Sequence, residues 1–246
     1  TNYVIVPLDR LTLSRVTQLW PNHVVSVPDA AHNDAPFQRP AKFNTKEFRL
    51  ITSSRAIVLK AFLSSTANLN ILYCDVDTYW QSDRTIPRFQ RIQQQHPASE
   101  MIAIVDAKTV RDGLICSGIL YLPKLTTSSS PRILDFLSIW DAWILTNQFL
   151  SDQAALYKAY AQIVKAQQQE GNSSSFIHVL AKNNPHFPTG KVYFEVMTQE
   201  QRSDVCIVHN NWIRGAAAKR TRFREHGMWI LPGRVYKLPN RAECGI

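Results

Sequence analysis

The chain has 246 residues, 45% of them hydrophobic, so one large domain with a sizeable core can form. A formal charge of +9 suits an anionic partner: nucleic acid, an anionic membrane surface or a phosphorylated substrate. Gly is scarce, at 8 residues. Neither G-x-x-x-x-G-K nor a strand-linked G-x-G-x-x-G occurs, and no apolar run reaches the roughly 18 residues that span a bilayer.

Taken in order, Tyr3 to Leu8 reads as a buried opening strand, and Val24 to Val27 as a second. Ala30 to Lys42 is a polar, Pro-containing loop. Thr45 to Leu63 has helical apolar spacing at Phe48, Ile51, Ile57, Val58, Ala61 and Phe62. Ile71 to Asp75 is the third strand. Arg88 to Gln95 is a polar helix or loop. Met101 to Asp106 is the fourth strand, and Leu114 to Leu122 another, interrupted by Ser117-Gly118. Ser130 and Pro131 open a helix that runs through Leu134, Leu137, Trp140 and Ile144. Ser151 caps the next, Asp152 to Gln168. Gln167 to Ser175 is the most linker-like stretch. Phe176 to Leu180 and Val205 to His209 are further strands. No internal repeat and no domain boundary stands out, so residues 1–246 read as a single domain. Alternating strands and helices predict an α/β fold with a mostly parallel central sheet covered by helices.

Cys74, Cys116 and Cys206 sit in apolar, strand-like runs and read as buried core thiols. With Cys244 they form no C-x-x-C, which argues against a zinc ribbon or a redox motif. No signal peptide opens the chain. Asn172-Ser173-Ser174 is an N-glycosylation sequon in a polar loop and points mildly to the secretory pathway.

Two segments carry the chemistry. Ile71-Leu72-Tyr73-Cys74-Asp75-Val76-Asp77 is an apolar run ending in two carboxylates spaced i, i+2. Ligands of open α/β sheets bind at carboxyl ends of strands, where two acids can hold a hard divalent cation on a diphosphate. Val205 to Lys219 repeats the device. An apolar strand delivers His209, a borderline ligand suited to Mn²⁺, followed by Asn210, Asn211 and Trp212. Gly215 permits close backbone approach or an unusual turn, and Lys219 offers a point charge for phosphate. A lone histidine is more often a hydrogen-bonded core or surface residue. The run Lys219 to Arg224, alone, reads as a solvated face. Two strand ends bearing D-x-D and H-N-N-W in one chain are harder to explain by chance. Arg55, on the helix before the D-x-D strand, either orients Asp75 or faces solvent. Trp212 and Trp229 either wall a uracil or acceptor sugar or pack in the core.

These segments, together with Thr45 to Arg49, Ser117-Gly118-Ile119-Leu120-Tyr121, Ser151-Asp152-Gln153-Ala154-Ala155-Leu156, Phe187 to Phe194 and Arg222 to Trp229, resemble the nucleotide-diphospho-sugar transferase family over nearly the whole chain. That group includes plant and animal α-xylosyl- and α-galactosyltransferases. The resemblance implies a GT-A (Rossmann-like) fold, a UDP-sugar donor, Mn²⁺ (Mg²⁺ as the substitute) and transfer of xylose or galactose, with retained anomeric configuration, to a glycan or glycoprotein hydroxyl. It implies that Asp75 touches ribose and metal, that Asp77 and His209 ligate the metal, and that Lys219 holds the diphosphate. Arg55, Ser117, Gly118, Asn210 and Gly215 complete the implied donor site. Asp152 and Gln153 are implied to face the transferred sugar and acceptor as catalytic residues. Cys116-Ser117-Gly118 stands where the family more often has an Asn before the Gly, which leaves donor choice open. With the sequon, the resemblance implies the Golgi lumen or secretory pathway, any anchor lying outside this segment, with neither nucleic acid nor membrane as its partner. The competing classes are a metal-dependent phosphodiesterase or nuclease, which wants more strand-end ligands, and a non-catalytic sugar- or nucleic-acid-binding relative.

Overall fold

A computed structural model describes residues 3–7, 10–25, 45–65, 69–106, 115–124, 132–147, 150–169, 175–181 and 184–229. In chain order the elements are α1 (Arg10–Leu19), α2 (Lys46–Ser65), β1 (Ile71–Cys74), β2 (Thr78–Trp80), α3 (Thr85–Gln95), β3 (Met101–Val105) and β4 (Ile115–Leu122). There follow α4 (Arg132–Thr146), α5 (Asp152–Gln169), β5 (Ile177–Val179), α6 (Gly190–Glu195), α7 (Gln199–Arg202), β6 (Ile207–His209) and α8 (Ala216–Glu225). Four strands pair in the order β1-β4-β3-β5, and β2 pairs with β6. The four-stranded sheet is mixed. β3 and β4 are antiparallel, with Ile102 opposite Tyr121 and Ala103 opposite Leu120. Beside β3, the bonds Met101 N–H to Phe176 O and Leu180 N–H to Ala103 O advance in the same direction, the mark of a parallel pair.

By its internal contacts the chain divides into two compact units. The first comprises residues 1–71, 98–101 and 122–178, and its frame is helical: α4 packs on both α2 and α5. Ile133, Phe136, Leu137 and Trp140 of α4 are fully buried, at the i, i+3, i+4, i+7 spacing of one helix face. The Glu100 carboxylate accepts from the Ile133 N–H at 2.9 Å, satisfying an open donor of the first turn of α4. Thr45 and Ser151 cap α2 and α5, through Phe48 N–H at 3.3 Å and Ala154 N–H at 3.2 Å.

The opening of this unit departs from the expected strands. Tyr3 and Val4 are exposed, and among the described residues one parallel bridge, Ile5 to Val24, joins the two expected strands. The helix α1 was not expected, because its Thr, Ser and Val residues weaken the helical signal; Leu13 and Val16, spaced i, i+3, are half-buried on it. The loop at residues 30–42, the Ser130-Pro131 start, the sequon and Cys244 lie outside the described residues.

The second unit comprises residues 72–97, 102–121 and 179–246. Ile102, Ile104, Cys116, Ile119 and Tyr121 from β3 and β4 meet Phe89 of α3, Phe187, Cys206 and Ile207 in its main core. The Arg88 to Gln95 stretch resolves as a helix because Thr85, Phe89 and Ile92 fall at i, i+4, i+7 and turn Phe89 inward. A smaller core joins Tyr193, Val205, Val208, Phe223 and Met228, with Tyr79, Phe194 and Trp229 packed on it. The expected thiols are there: Cys116 and Cys206 are buried and free, and Cys74 is free and half-buried.

Candidate functional site

β1 ends at Cys74, and the chain then turns: Thr78 N–H and Thr78 Oγ1–H both donate to Asp75 O, at 3.2 and 2.9 Å. That turn leaves Val76 fully exposed and keeps both neighbouring carboxylates half-buried. β2 then runs antiparallel to β6, with Thr78 opposite His209. The pairing brings the two motifs together. His209 Nε2 lies 3.6 Å from Asp75 Oδ2 and 3.5 Å from Asp77 Oδ1. One ligand atom from each of the three residues can be chosen so that all lie within 4.8 Å of one another.

Around this cluster the sequence-predicted residues take distinct places. Lys219, on the first turn of α8, makes an ion pair with Asp77. Asn210 is fully buried; its amide donates to Lys219 O at 2.9 Å and its N–H to Asp77 O at 2.9 Å, so it ties the start of α8 to the acidic turn. Gly215 holds φ +85° at the N-cap of α8, a conformation L side chains rarely adopt, although a Cβ there would meet nothing within 4 Å. Gly118 is required for the opposite reason, space. A Cβ on it would lie 2.3 Å from His209 Cε1 and 2.7 Å from Asp75 Oδ2. Gly118 O also accepts from Asp75 N–H at 2.8 Å.

Three further residues belong to the site by geometry. The Tyr73 hydroxyl donates to Asp75 Oδ1 at 2.9 Å. Cys116 Sγ stands 3.4 Å from His209 Nδ1. Asn211 Oδ1 accepts from Gly190 N–H at 2.7 Å, where an added Cβ would come within 2.6 Å of His209 O, so α6 starts hard against this loop. Period-2 alternation was the available signal for the first two. Tyr73 is two residues before Asp75, and Cys116 two before Gly118, which puts Cys116 and Gly118 on one face of β4 and Ser117 on the other.

The electrostatics follow from burial and neighbours. Burial would push the Asp77 pKa up. Its hydrogen bond and attraction to His209, then the Lys219 ammonium, outweigh that and hold it well below the ordinary aspartate value. Burial would push His209 down, but Cys116 and Asp77 raise it well above the ordinary histidine value. Two carboxylates thus face one ammonium and one imidazole. A divalent cation bound there would displace the extra proton of the imidazole, leaving two carboxylates and a neutral ring as its ligands. Oxygen donors plus one imidazole suit Mn²⁺ or Mg²⁺.

Residues matching a model of the nucleotide-diphospho-sugar transferase family run from 1 to 223. The chain belongs to that family. It is 27% identical over 247 residues to UDP-D-xylose:L-fucose alpha-1,3-D-xylosyltransferase 3 of Arabidopsis thaliana, covering 96% of this chain and 61% of that protein. Against UDP-galactose:fucoside alpha-3-galactosyltransferase of Dictyostelium discoideum it is 26% identical, covering 75% of this chain and 28% of that one. This family member therefore spans about three fifths of the length of the Arabidopsis relatives it matches. Its fold is similar to the crystal structure of a glycosyltransferase involved in glycosylation of the major capsid of PBCV-1. The TM-score there is 0.50, at 14% identity over 89% of this chain and 90% of that one. The α/β GT-A fold expected from the sequence is the fold observed.

The remaining predicted residues of this family member lie in the first unit. Arg55 makes an ion pair with Asp152, with side chains only 9% and 6% exposed. Asp152 O also accepts from Trp140 Nε1–H at 2.9 Å. Within this unit Arg55 thus meets the first acid of α5, a partner the sequence did not suggest. Gln153 follows on the same turn, half-buried. The basic run of α8 is not one solvated face. Lys219 and Arg222 turn inward, Arg222 Nη1 donating to Asn211 O at 3.2 Å, whereas Arg220 is exposed. Trp229 packs on the smaller core, and Trp212 is 38% exposed with φ +60°. Among the described residues no helix is long and apolar enough to cross a membrane.

Proposed function

We propose that this chain is the catalytic part of a divalent-metal-dependent glycosyltransferase. It moves xylose or galactose from a UDP-sugar, with retained configuration, to a hydroxyl of a glycan or glycoprotein. The observation that carries the reading is the convergence of Asp75, Asp77 and His209 within 4.8 Å, beside Lys219. The relatives' names supply the sugar classes: UDP-D-xylose in one, UDP-galactose in the other.

In this reading Asp75, Asp77 and His209 hold Mn²⁺ or Mg²⁺, and Asp75 also reaches the ribose. The cation, when bound, supplies Lewis-acid stabilisation of the diphosphate as it leaves. Lys219 adds a compact positive charge to the same diphosphate. The charge it meets grows as the sugar–phosphate bond breaks, so its contribution is greater in the transition state than in the ground state. Gly118 gives the imidazole room, Asn210 and Gly215 set the Lys219 turn, and Trp212 offers an aromatic face to uracil or to an acceptor sugar. Asp152 and Gln153 are the residues proposed to act on the transferred sugar and the acceptor. The compartment proposed is the Golgi lumen, on the strength of the sequon and of the sugar acceptors named for the relatives.

A donor-hydrolysis screen over UDP-sugars tests this without knowledge of the acceptor. Slow UDP release from UDP-xylose or UDP-galactose is expected with Mn²⁺, and none with a chelator. Asp77→Ala should weaken Mn²⁺-dependent UDP binding more than about a hundredfold, beyond the scale of losing an outer-shell partner. Equal UDP affinity by calorimetry with and without chelator would sink the reading.

A further inference from the structure

We propose that Cys116 is a positioning residue for His209: its sulfur accepts the Nδ1–H, so that Nε2 presents its lone pair toward Asp75 and Asp77. The inference rests on the metal reading above and adds a residue to it. A ligating imidazole nitrogen must be bare, so the proton of a neutral ring sits on the other nitrogen and needs an acceptor. Here that nitrogen, Nδ1, is 3.4 Å from Cys116 Sγ.

Two independent observations fix the sulfur and the ring. Gly118 N–H also points at Cys116 Sγ, at 3.4 Å, so the sulfur already acts as an acceptor and β4 holds it in place. On the Gly118 side, the ring lies so close to the backbone that a Cβ would be 2.9 Å from Nε2 and 2.3 Å from Cε1. The imidazole is thus gripped between the Cys116 sulfur and the bare Gly118 backbone. Both residues are nearly inaccessible, Cys116 at 2% and His209 at 5%, so solvent offers little replacement for a lost acceptor. A carboxylate or carbonyl in that place would bond Nδ1–H more strongly. A thiol is a weak, polarizable acceptor. That distinguishes this site from the common carboxylate–histidine–metal arrangement.

The test separates hydrogen bonding from packing. Cys116→Val fills the space without an acceptor, whereas Cys116→Ser keeps an acceptor in a smaller volume. Calorimetry with Mn²⁺ in the presence of UDP should show Cys116→Val weakened about ten- to a hundredfold, the scale of a lost outer-shell partner, and Cys116→Ser near wild type. In Mg²⁺-loaded, ¹⁵N-histidine-labelled protein, a slowly exchanging His209 Nδ1–H resonance is expected in wild type and Cys116→Ser. It should be missing in Cys116→Val. His209→Gln assigns the signal, and Cys116→Ala replaces the valine variant if circular dichroism shows that it misfolds. Wild-type Mn²⁺ affinity in the valine and alanine variants would overturn the role of Cys116 and leave the metal site standing. Failure of the wild-type chain to bind Mn²⁺ with UDP would overturn the site reading and this inference together.

Discussion

Two carboxylate clusters can be set side by side, each within its own unit. Asp152 is a buried aspartate on a buried guanidinium, and Trp140 donates to its backbone carbonyl. Around Asp77 the groups stay more open. Asp77 meets the Lys219 ammonium and the His209 imidazole, Asp75 meets the same imidazole and the Tyr73 hydroxyl, and the Asp75, Asp77 and Lys219 side chains are 23%, 17% and 31% exposed. The difference shows how the same residue type serves two ends. A neutral, closed pair adds fixed geometry, because removing either partner strands a buried charge. An open cluster of two carboxylates and an imidazole offers donors that a cation can reach. Buried aspartates occur in both structural and functional settings, and access tells these two apart.

The largest effect should come from breaking the closed pair. Arg55→Met leaves Asp152 buried and unmatched and should cost about 3–5 kcal/mol in denaturant unfolding. The double variant Arg55→Met/Asp152→Leu should recover much of that loss. A cost under about 1 kcal/mol for the single change would put the pair in the class of exposed bridges and dissolve the contrast.

Next in size, Lys219→Ala should slow Mn²⁺-saturated UDP-sugar cleavage about a hundredfold, the scale of one lost transition-state donor. Arg220→Ala should change it little, because Arg220 is exposed on the same helix. Arg222 is an unsuitable control, since it bonds Asn211 O. Equal, small effects at Lys219 and Arg220 would make Lys219 another solvated charge.

Gly118→Ala should come third. Its Cβ would meet the His209 ring and Asp75 Oδ2, so one of the two ligands must move. We expect a stability loss of about 1–3 kcal/mol, as for overpacked cores, together with weaker Mn²⁺ binding by calorimetry. Gly215→Ala should affect folding through its φ of +85° and not through any clash. Intact metal affinity in Gly118→Ala would show that the ring is less confined than its contacts imply.

The smallest effect concerns the cationic side of the comparison. Partial burial, then Arg202 and Arg222, lower the His226 pKa, with Glu225 opposing. A histidine whose folded pKa is depressed binds fewer protons folded than unfolded. Its contribution is therefore present above the unfolded value of about 6.5 and is lost as pH falls from there toward the lowered folded value. A slight fall in melting temperature over that window is expected, and His226→Gln should flatten it. An unchanged profile in the variant would detach His226 from the effect.

How much of this was legible follows from the range of each interaction. By itself the sequence determined the elements whose signals are local. Apolar spacing predicted α2, α4 and α5, apolar runs predicted β1, β3, β4 and β6, and Ser151 marked a cap. It also named candidate donors at two strand ends, D-x-D after β1 and His209 at the end of β6. What it left open had no local signal. The opening residues looked like strands but found one bridge, because a strand's ladder depends on its neighbour. The antiparallel β2–β6 pairing that brings Asp77 to His209 joins residues 132 positions apart, from 77 to 209. That Arg55 meets Asp152, 97 positions away, had no local signal either. Cys116 read as an apolar core residue, and it is buried as expected. Only the tertiary structure put its sulfur against the imidazole of the Asp75, Asp77 and His209 cluster, because cross-strand register decides which buried side chain meets which ring nitrogen.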